Sequence, residues 1–259
     1  LIFFLLFFAL KGFTGISAEC NFNSADYLDQ LSNLKNLKRV EIEIKKYKKW
    51  TTNVLEAVLQ EKAILPKYKK KFDAQIVSFY AFGSCTHSGK VRLHGDWKDH
   101  IDFNEGGNLR QSVDVSLESG SIANIVKFKL LIPETRNGKN EVLLTSLLRL
   151  LKFLAPRTSY VEVAINGQES LMLIQEKVVK EFLEGSNRRE GPIFEGDEKY
   201  LFNNYNEFDH YDLIDLSLGK MSNQRWAEAS SIATNISLNA FSLIQSAYLH
   251  FSNTADNTY

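Results

Sequence analysis

The feature that most limits the fold of this chain is a run of short apolar or alternating segments between Phe72 and Leu131. Ser88-Gly89 and Gly106-Gly107-Asn108 interrupt the run. Short alternating segments separated by such turn residues are typical of an antiparallel sheet in which each strand pairs with the previous one. The predicted strands are 74–82, 90–94, 111–117 and 125–131.

Other elements flank this run on both sides. Before it, strict alternation over 40–44 predicts a half-buried strand, and helical spacing over 47–62 predicts a helix that Pro66 ends. After it, a broad apolar face predicts a helix over 141–153. Three sets of elements follow: strands 158–165 and 170–175 around the turn Asn166-Gly167, a helix over 211–218, and a helix over 225–251.

Composition indicates a globular protein with a substantial core. The 259 residues are 44% hydrophobic and 24% charged, which fits one or two domains. The chain carries 31 basic and 31 acidic residues, so its formal net charge is zero. Because counterion release requires a basic excess, this balance disfavours a general nucleic-acid binder.

The amino-terminal segment has the pattern of an export signal. Residues 1–10 are all apolar, which is shorter than the roughly 20 residues that span a bilayer. The segment fits the core of a signal peptide with cleavage after Ala18, although a hydrophobic strand or helix has the same pattern. We therefore expect a secreted or envelope protein without a stable membrane span. In an oxidising compartment Cys20 and Cys85 either pair or remain free thiols.

A basic segment covers residues 35–71, with 12 basic and 4 acidic residues. This local excess of positive charge has two interpretations. It either meets an anionic surface or is a solvated face whose charge is balanced elsewhere in the chain.

The densest polar cluster, residues 92–100, leaves three interpretations open. The first is a metal site, and its ligands would be His94, Asp96, Asp99 and His100. The second is a phosphate-binding turn in which Arg92 and His94 donate and Gly95 allows close approach. The third is a structural turn whose polar groups satisfy one another.

Three further groups of charged residues also have two interpretations each. Arg136 faces a phosphate or pairs with Glu134, and Glu141 pairs with a buried cation or simply favours a helix start. Asp212 and Asp215 share a helix face, where they hold Mg²⁺ or are solvated.

Five short motifs occur in a fixed order along the chain. They are Arg92 to Trp97, Leu109 to Val113, Ala155-Pro156-Arg157, Asn166-Gly167 and Gln175-Glu176-Lys177. With strands and a helix between these motifs, residues 40–197 resemble the spore-coat CotH kinase family, a secreted or envelope-associated group of atypical protein kinases.

The resemblance implies an α+β, protein-kinase-like fold. An antiparallel-sheet amino-terminal lobe with one helix would precede the start of a helical carboxy-terminal lobe. The implied organisation is a signal peptide over 1–18, a linker over 19–39, the first lobe over 40–200 and the start of the second over 201–259.

The resemblance also implies a nucleotide site for ATP and Mg²⁺. The Gly95 turn, with Arg92 and His94, would cover the phosphates. Arg110 or Gln111 would replace the phosphate-binding lysine of the family, and Glu141 would pair with that cation. Gln175 and Glu176 would lie beside the adenine.

The implied activity is phosphoryl transfer to Ser or Thr of an extracytoplasmic protein. Such transfer needs a carboxylate and metal-binding residues. Asp209 and Asp212 are poor candidates for those roles, so we expect the catalytic residues beyond Tyr259. Since Gln111 stands where the family has a lysine, the alternative is a non-catalytic extracytoplasmic structural or binding module with the same fold.

Overall fold

The computed structural model describes residues 19–22, 30–61, 68–103, 106–107, 109–196 and 220–255. The strands are β1 (Glu19–Phe22), β2 (Leu37–Ile44), β3 (Phe72–Tyr80), β4 (Gly83–Leu93), β5 (Ile101–Phe103), β6 (Leu109–Gln111), β7 (Val113–Leu117), β8 (Lys127–Leu131), β9 (Thr158–Ile165), β10 (Gln168–Glu176), β11 (Phe194–Glu195) and β12 (Lys220–Met221). The helices are α1 (Tyr47–Leu59), α2 (Lys139–Leu150), α3 (Lys180–Gly185), α4 (Gln224–Ala227) and α5 (Ser231–Ala255). The chain divides into two units, one of residues 1–143 and 157–175 and one of residues 144–156 and 176–259.

The first unit is a closed mixed β-barrel of seven strands. The strands follow one another in the order β4, β3, β2, β9, β10, β8 and β7, and β7 pairs again with β4 to close the sheet. β2 runs parallel to β9 over Arg39–Ile42 and Glu162–Ile165. β2, β7 and β9 each have an antiparallel neighbour as well, in β3, β8 and β10.

Gly89 lies where β4 contacts both of its barrel neighbours. It is opposite Ala74 of β3 and opposite Leu117 of β7. A Cβ at Gly89 would lie 2.6 Å from the Ser116 carbonyl oxygen. A residue without a side chain is therefore required for β7 to approach here, as is typical of a barrel corner.

Apolar side chains from the strands and from α1 form the core of the barrel. Trp50, Val54 and Ala57 are buried and lie on one face of α1, at spacings of four and three residues. The Trp50 ring meets the edge of Phe72 with centroids 5.3 Å apart. The amphipathic pattern of the helix therefore fixes which face packs on the barrel.

A disulfide joins the short strand β1 to β4. Cys20 and Cys85 lie directly opposite each other in the ladder and are bonded. The bond closes a loop with a sequence separation of 65 residues. Removal of chain entropy from the unfolded state by such a loop stabilises the fold by about 4 kcal/mol.

The second unit contains α3, α4, α5 and the two-stranded ladder of β11 with β12. The 25-residue α5 exposes large apolar side chains, including Ile232, Leu243 and Phe251. Among the described residues, no helix combines the length and the apolar character needed to cross a bilayer.

The kinase-like fold expected from the resemblance is wrong. The sheet is not an open antiparallel layer, because β2 pairs in parallel with β9 and β7 pairs with β4. The described residues contain five α-helices, of which α3 and α4 have only six and four residues, and they do not form a helical second lobe.

Most of the individual elements predicted from the sequence are confirmed, but three of them differ from the prediction. The strand predicted over 90–94 begins earlier, at Gly83, and the strand predicted over 111–117 is interrupted at Ser112. The helix predicted over 225–251 is two helices, α4 and α5. One prediction about a turn is wrong. Ser88-Gly89 was expected to separate two strands, but it lies inside the eleven-residue β4. The predicted helix over 211–218 and the signal segment lie outside the described residues.

Candidate functional site

Asp114 is the centre of the polar cluster that the sequence placed around Arg92. It lies directly opposite Arg92 in the ladder of β4 with β7, and only 5% of its surface is exposed. Its Oδ2 accepts hydrogen bonds from Nε and Nη2 of Arg92 at 2.8 and 2.5 Å. Its Oδ1 lies 2.8 Å from Nδ1 of His94. The register of the barrel therefore joins Arg92 and His94 through one buried carboxylate.

His94 is held as a neutral ring by this arrangement. Burial lowers the pKa of His94, although the carboxylate of Asp114 acts in the opposite direction. The Nδ1–H therefore donates to Asp114, and Nε2 carries the lone pair. This Nε2 is buried and has no hydrogen-bond partner among the described residues. Chemically, it is a proton acceptor that solvent does not reach.

The ring of His100 fills the space beside Gly95. A Cβ at Gly95, whose φ is +85°, would lie 1.7 Å from Cδ2 of His100. The rings of His94 and His100 meet edge to face with centroids 5.0 Å apart. Burial lowers the pKa of His100 to about 3, and the positive charges of Arg136, Lys129 and Lys69 act in the same direction. Gly95 therefore allows the backbone to pack against a neutral histidine.

Arg110 is engaged by two carboxylates. It lies opposite Asp102 in the ladder of β5 with β6. Its Nε and Nη2 donate to the two carboxylate oxygens of Asp102 at 2.9 and 2.6 Å, and Nη2 lies 3.6 Å from Glu134. The hydrogen bond to Asp102 raises the pKa of the guanidinium. Arg110 also lines a cavity of about 380 Å³ together with Glu134 and Tyr160, so the charges facing this cavity are already balanced.

Gln175 and Glu141 contact each other. The Gln175 Nε2 donates to Glu141 Oε1 at 2.5 Å and to Thr158 Oγ1 at 3.3 Å. Glu176, the last residue of β10, is 7% exposed and belongs to the second unit. The expected pairing of Glu141 with Arg110 is not seen among the described residues, because Arg110 pairs with Asp102 and Glu134 instead.

Gln111 lies in a different environment from Arg110. It is 7% exposed, and its Oε1 is buried with no partner among the described residues. Gln111 lines a cavity of about 260 Å³ between α1 and the β5–β6 hairpin. The cavity is lined mainly by aromatic and aliphatic side chains, among them Tyr47, Trp50, Val54, Leu55, Phe103 and Leu109.

The metal interpretation of residues 92–100 receives no support from this geometry. Asp96 forms an ion pair with Lys69, and Asp99 is exposed. Within the described ranges, no three His, Cys, Asp or Glu side chains are grouped so that they could hold a metal. Asp209, Asp212 and Asp215 lie outside those ranges.

The residues expected to bind ATP therefore form three separate groups of contacts. Arg92 and His94 surround Asp114, Arg110 pairs with Asp102, and Gln175 holds Glu141. Because Nε and Nη2 of each arginine are already bonded to a carboxylate, neither guanidinium carries a locally unbalanced charge, and the geometry gives no support for a Mg-ATP site. The geometry favours the structural interpretation of the turn.

Sequence reasoning missed the two carboxylates that decide this result. Asp114 lies between Val113 and Val115, which are both buried, and a buried acid needs a partner. Its partner follows only from the strand register, which joins residues 22 positions apart. No feature of the sequence indicated that Asp102 would be the partner of an arginine.

Comparison of this chain with protein-family models and with curated proteins finds no match.

Proposed function

We propose that this chain is a non-catalytic extracytoplasmic binding module, and that its ligand site is the cavity lined by Gln111. The observation that carries the proposal is the buried, unpartnered Oε1 of Gln111 in the wall of a cavity that is lined mainly by apolar side chains. A buried acceptor without a partner costs about 1–3 kcal/mol, which a ligand that donates a hydrogen bond would recover. The disulfide between Cys20 and Cys85 supports an oxidising compartment.

The size and lining of the cavity limit the class of ligand. Its volume is about 260 Å³, compared with about 150 Å³ for a cavity that holds benzene. Tyr47 and Phe103 are 40% and 58% exposed at its rim, and Trp50 is buried within it. The favoured ligand is therefore a single apolar ring, or a group of similar size, that carries at least one N–H or O–H donor.

A pair of probes that differ only in the donor tests this proposal. Phenol carries an O–H group and toluene does not, so we expect phenol to bind at least tenfold more tightly in a calorimetric or NMR titration. Gln111→Leu removes the acceptor and should abolish the preference while retaining toluene binding. Gln168→Leu, on the same cavity but exposed, is the matched control and should keep the preference.

Two results would contradict the proposal. The first is equal affinity of the unaltered protein for the two probes. The second is a preference for phenol that survives in Gln111→Leu. Because Gln111→Leu removes a buried unsatisfied oxygen, we expect it to fold at least as stably as the unaltered protein.

Phosphoryl transfer to an extracytoplasmic protein is the competing proposal, and it depends on the order of the five sequence motifs. The contacts of Arg92 and Arg110 favour the binding module, because both guanidinium groups are engaged by carboxylates. The two proposals differ in whether Arg110 takes part in binding ATP.

A further inference from the structure

We propose that a second cavity, on the other side of α1, binds an anionic sugar, meaning a hydroxyl-bearing ring with a phosphate, sulfate or carboxylate group. The cavity has a volume of about 500 Å³. Its lining includes five lysines, which we call the lysine group: Lys46, Lys48, Lys49, Lys70 and Lys71. This site is independent of the cavity at Gln111.

The charge of the lysine group is not balanced locally. None of its five lysines forms an ion pair with a carboxylate within the described ranges. The two acids that line the cavity are Glu56 and Asp73, and Asp73 already lies 3.7 Å from Lys90. The lining residues therefore carry a net charge of +3, in a chain whose formal net charge is zero. A concave surface of one sign concentrates ions of the opposite sign.

The start of α1 adds to this positive potential. The first turns of helices favour acidic side chains because the free backbone N–H groups carry partial positive charge. Here the first turn contains no acid, and Lys46 at the cap makes no side-chain capping bond. Lys48 and Lys49 follow in the same turn. Two positive lysines are unfavourable beside the positive end of the helix dipole. A bound anion would reduce this unfavourable interaction.

Asn53 supplies the second, independent observation at this site. It lines the cavity and is only 3% exposed. Its Nδ2 donates to the Tyr68 carbonyl oxygen at 2.8 Å, which fixes the amide, while its Oδ1 is buried with no partner among the described residues. An acceptor oxygen does not attract an anion, so a ligand that satisfies both Asn53 and the lysine group carries an acidic group and a hydroxyl donor.

The combination of these groups selects the class of ligand. A simple oxyanion such as sulfate would satisfy the lysine group but would give the Asn53 oxygen no hydrogen-bond donor. A neutral sugar would satisfy Asn53 but would leave the lysine group unpaired. A sugar that carries an acidic group satisfies both, and a concave site suits a ring better than an extended membrane surface does.

The test compares three phosphate probes with one neutral sugar on the intact chain. We use calorimetric titration with glucose 6-phosphate, hexyl phosphate, inorganic phosphate and glucose. Glucose 6-phosphate should bind at least fivefold more tightly than hexyl phosphate or inorganic phosphate, and glucose should bind most weakly. Because the lysines are exposed, the affinity should fall as NaCl is added.

Charge-neutralising variants locate the site. Lys48→Gln combined with Lys70→Gln should weaken glucose 6-phosphate binding at least tenfold. Lys38→Gln combined with Lys139→Gln removes the same charge from exposed lysines outside the cavity and should change affinity less than twofold. Gln111→Leu should leave this binding unchanged, which separates the result from that for the first cavity.

Each contrary outcome overturns a defined part of the proposal. Equal binding of glucose 6-phosphate and hexyl phosphate would overturn the assignment to a sugar. Retention of affinity in the Lys48→Gln/Lys70→Gln variant would overturn the location. Absence of binding to the unaltered protein would overturn the site as a whole.

Discussion

Two sets of cations lie on the same barrel in opposite environments. Arg92 and Arg110 each lie opposite an aspartate on the neighbouring strand and donate two hydrogen bonds to it. The lysine group around the start of α1 forms no ion pair within the described residues. A positive side chain in a sequence motif is therefore not by itself a binding group. Its cross-strand neighbour decides whether its charge is available to a ligand.

The first prediction concerns removal of the carboxylate shared by Arg92 and His94. Asp114→Ala should lower the free energy of unfolding by about 3 kcal/mol, because a buried carboxylate is lost and its donors are left unpaired. Urea denaturation measures this loss. Lys48→Gln, in the unpaired set, should change the free energy of unfolding by less than about 0.5 kcal/mol. Equal effects of the two substitutions would remove the distinction between the two sets.

The second prediction concerns pH, because the paired region contains buried histidines. The pKa of His100 in the folded state is about 3, below its usual value of 6.5. The unfolded chain therefore binds the proton first, so stability is full above pH 6.5 and is lost as the pH falls from 6.5 towards 3. One such histidine changes the free energy of unfolding by about 1.4 kcal/mol per pH unit.

Chemical denaturation between pH 7 and pH 5 measures this dependence. His100→Gln should make the loss of stability on acidification smaller, by about 2 kcal/mol between pH 6.5 and 5. His250→Gln, at an exposed position on α5, is the control and should leave the dependence unchanged. An unaltered pH dependence in His100→Gln would show that His100 does not contribute to it.

The third prediction separates steric contact from backbone conformation in the same region. Gly95→Ala and Gly167→Ala both place a side chain at positive φ, +85° and +81°. Only the Cβ at residue 95 meets another atom, the Cδ2 of His100. Gly95→Ala should therefore be the more destabilising of the two by about 1.5 kcal/mol, the cost of overpacking a buried contact. Thermal unfolding of both variants measures the difference, and equal losses would contradict the packing of His100 against Gly95.

The smallest expected effect concerns the lysine group itself. Lys48→Gln combined with Lys70→Gln should raise the free energy of unfolding by about 0.3 kcal/mol at low ionic strength, because like charges repel. In 1 M NaCl the Debye length is about 3 Å, so this gain should disappear. A loss of stability at low salt would indicate that these lysines have partners.

Local elements could be predicted from this sequence, but the closure of the barrel could not. Alternation over 40–44 and the turn Asn166-Gly167 depend on neighbouring residues, and both predictions are confirmed by β2 and by the hairpin of β9 with β10. The parallel pairing of β2 with β9 joins Arg39 to Glu162, and no local signal specifies it. The position of Gly89 inside a strand could not be predicted either, because the neighbouring residues do not distinguish a glycine at a turn from a glycine at a barrel corner.

The candidate site was predictable in its residues but not in their roles. Arg92, His94 and Gly95 were identified as a polar turn, and they do lie in one group of contacts. The structural interpretation of that turn required the position of Asp114, which depends on the register between β4 and β7. In the sequence, Gln111 was notable because it stands where the kinase family has a lysine. In the structure, it matters because its side chain is buried beside a cavity.

Binding and turnover of Mg-ATP by the unaltered chain and by Arg110→Ala distinguish a binding module from a kinase. Binding is measured by calorimetry, and transfer is measured with ATP labelled in its γ-phosphate. Because Asp102 and Glu134 already engage Arg110, we expect Arg110→Ala to leave the affinity for Mg-ATP unchanged, and we expect neither protein to transfer label to a protein. Loss of Mg-ATP binding in Arg110→Ala, or transfer of label to a protein by the unaltered chain, would contradict the proposal of a binding module.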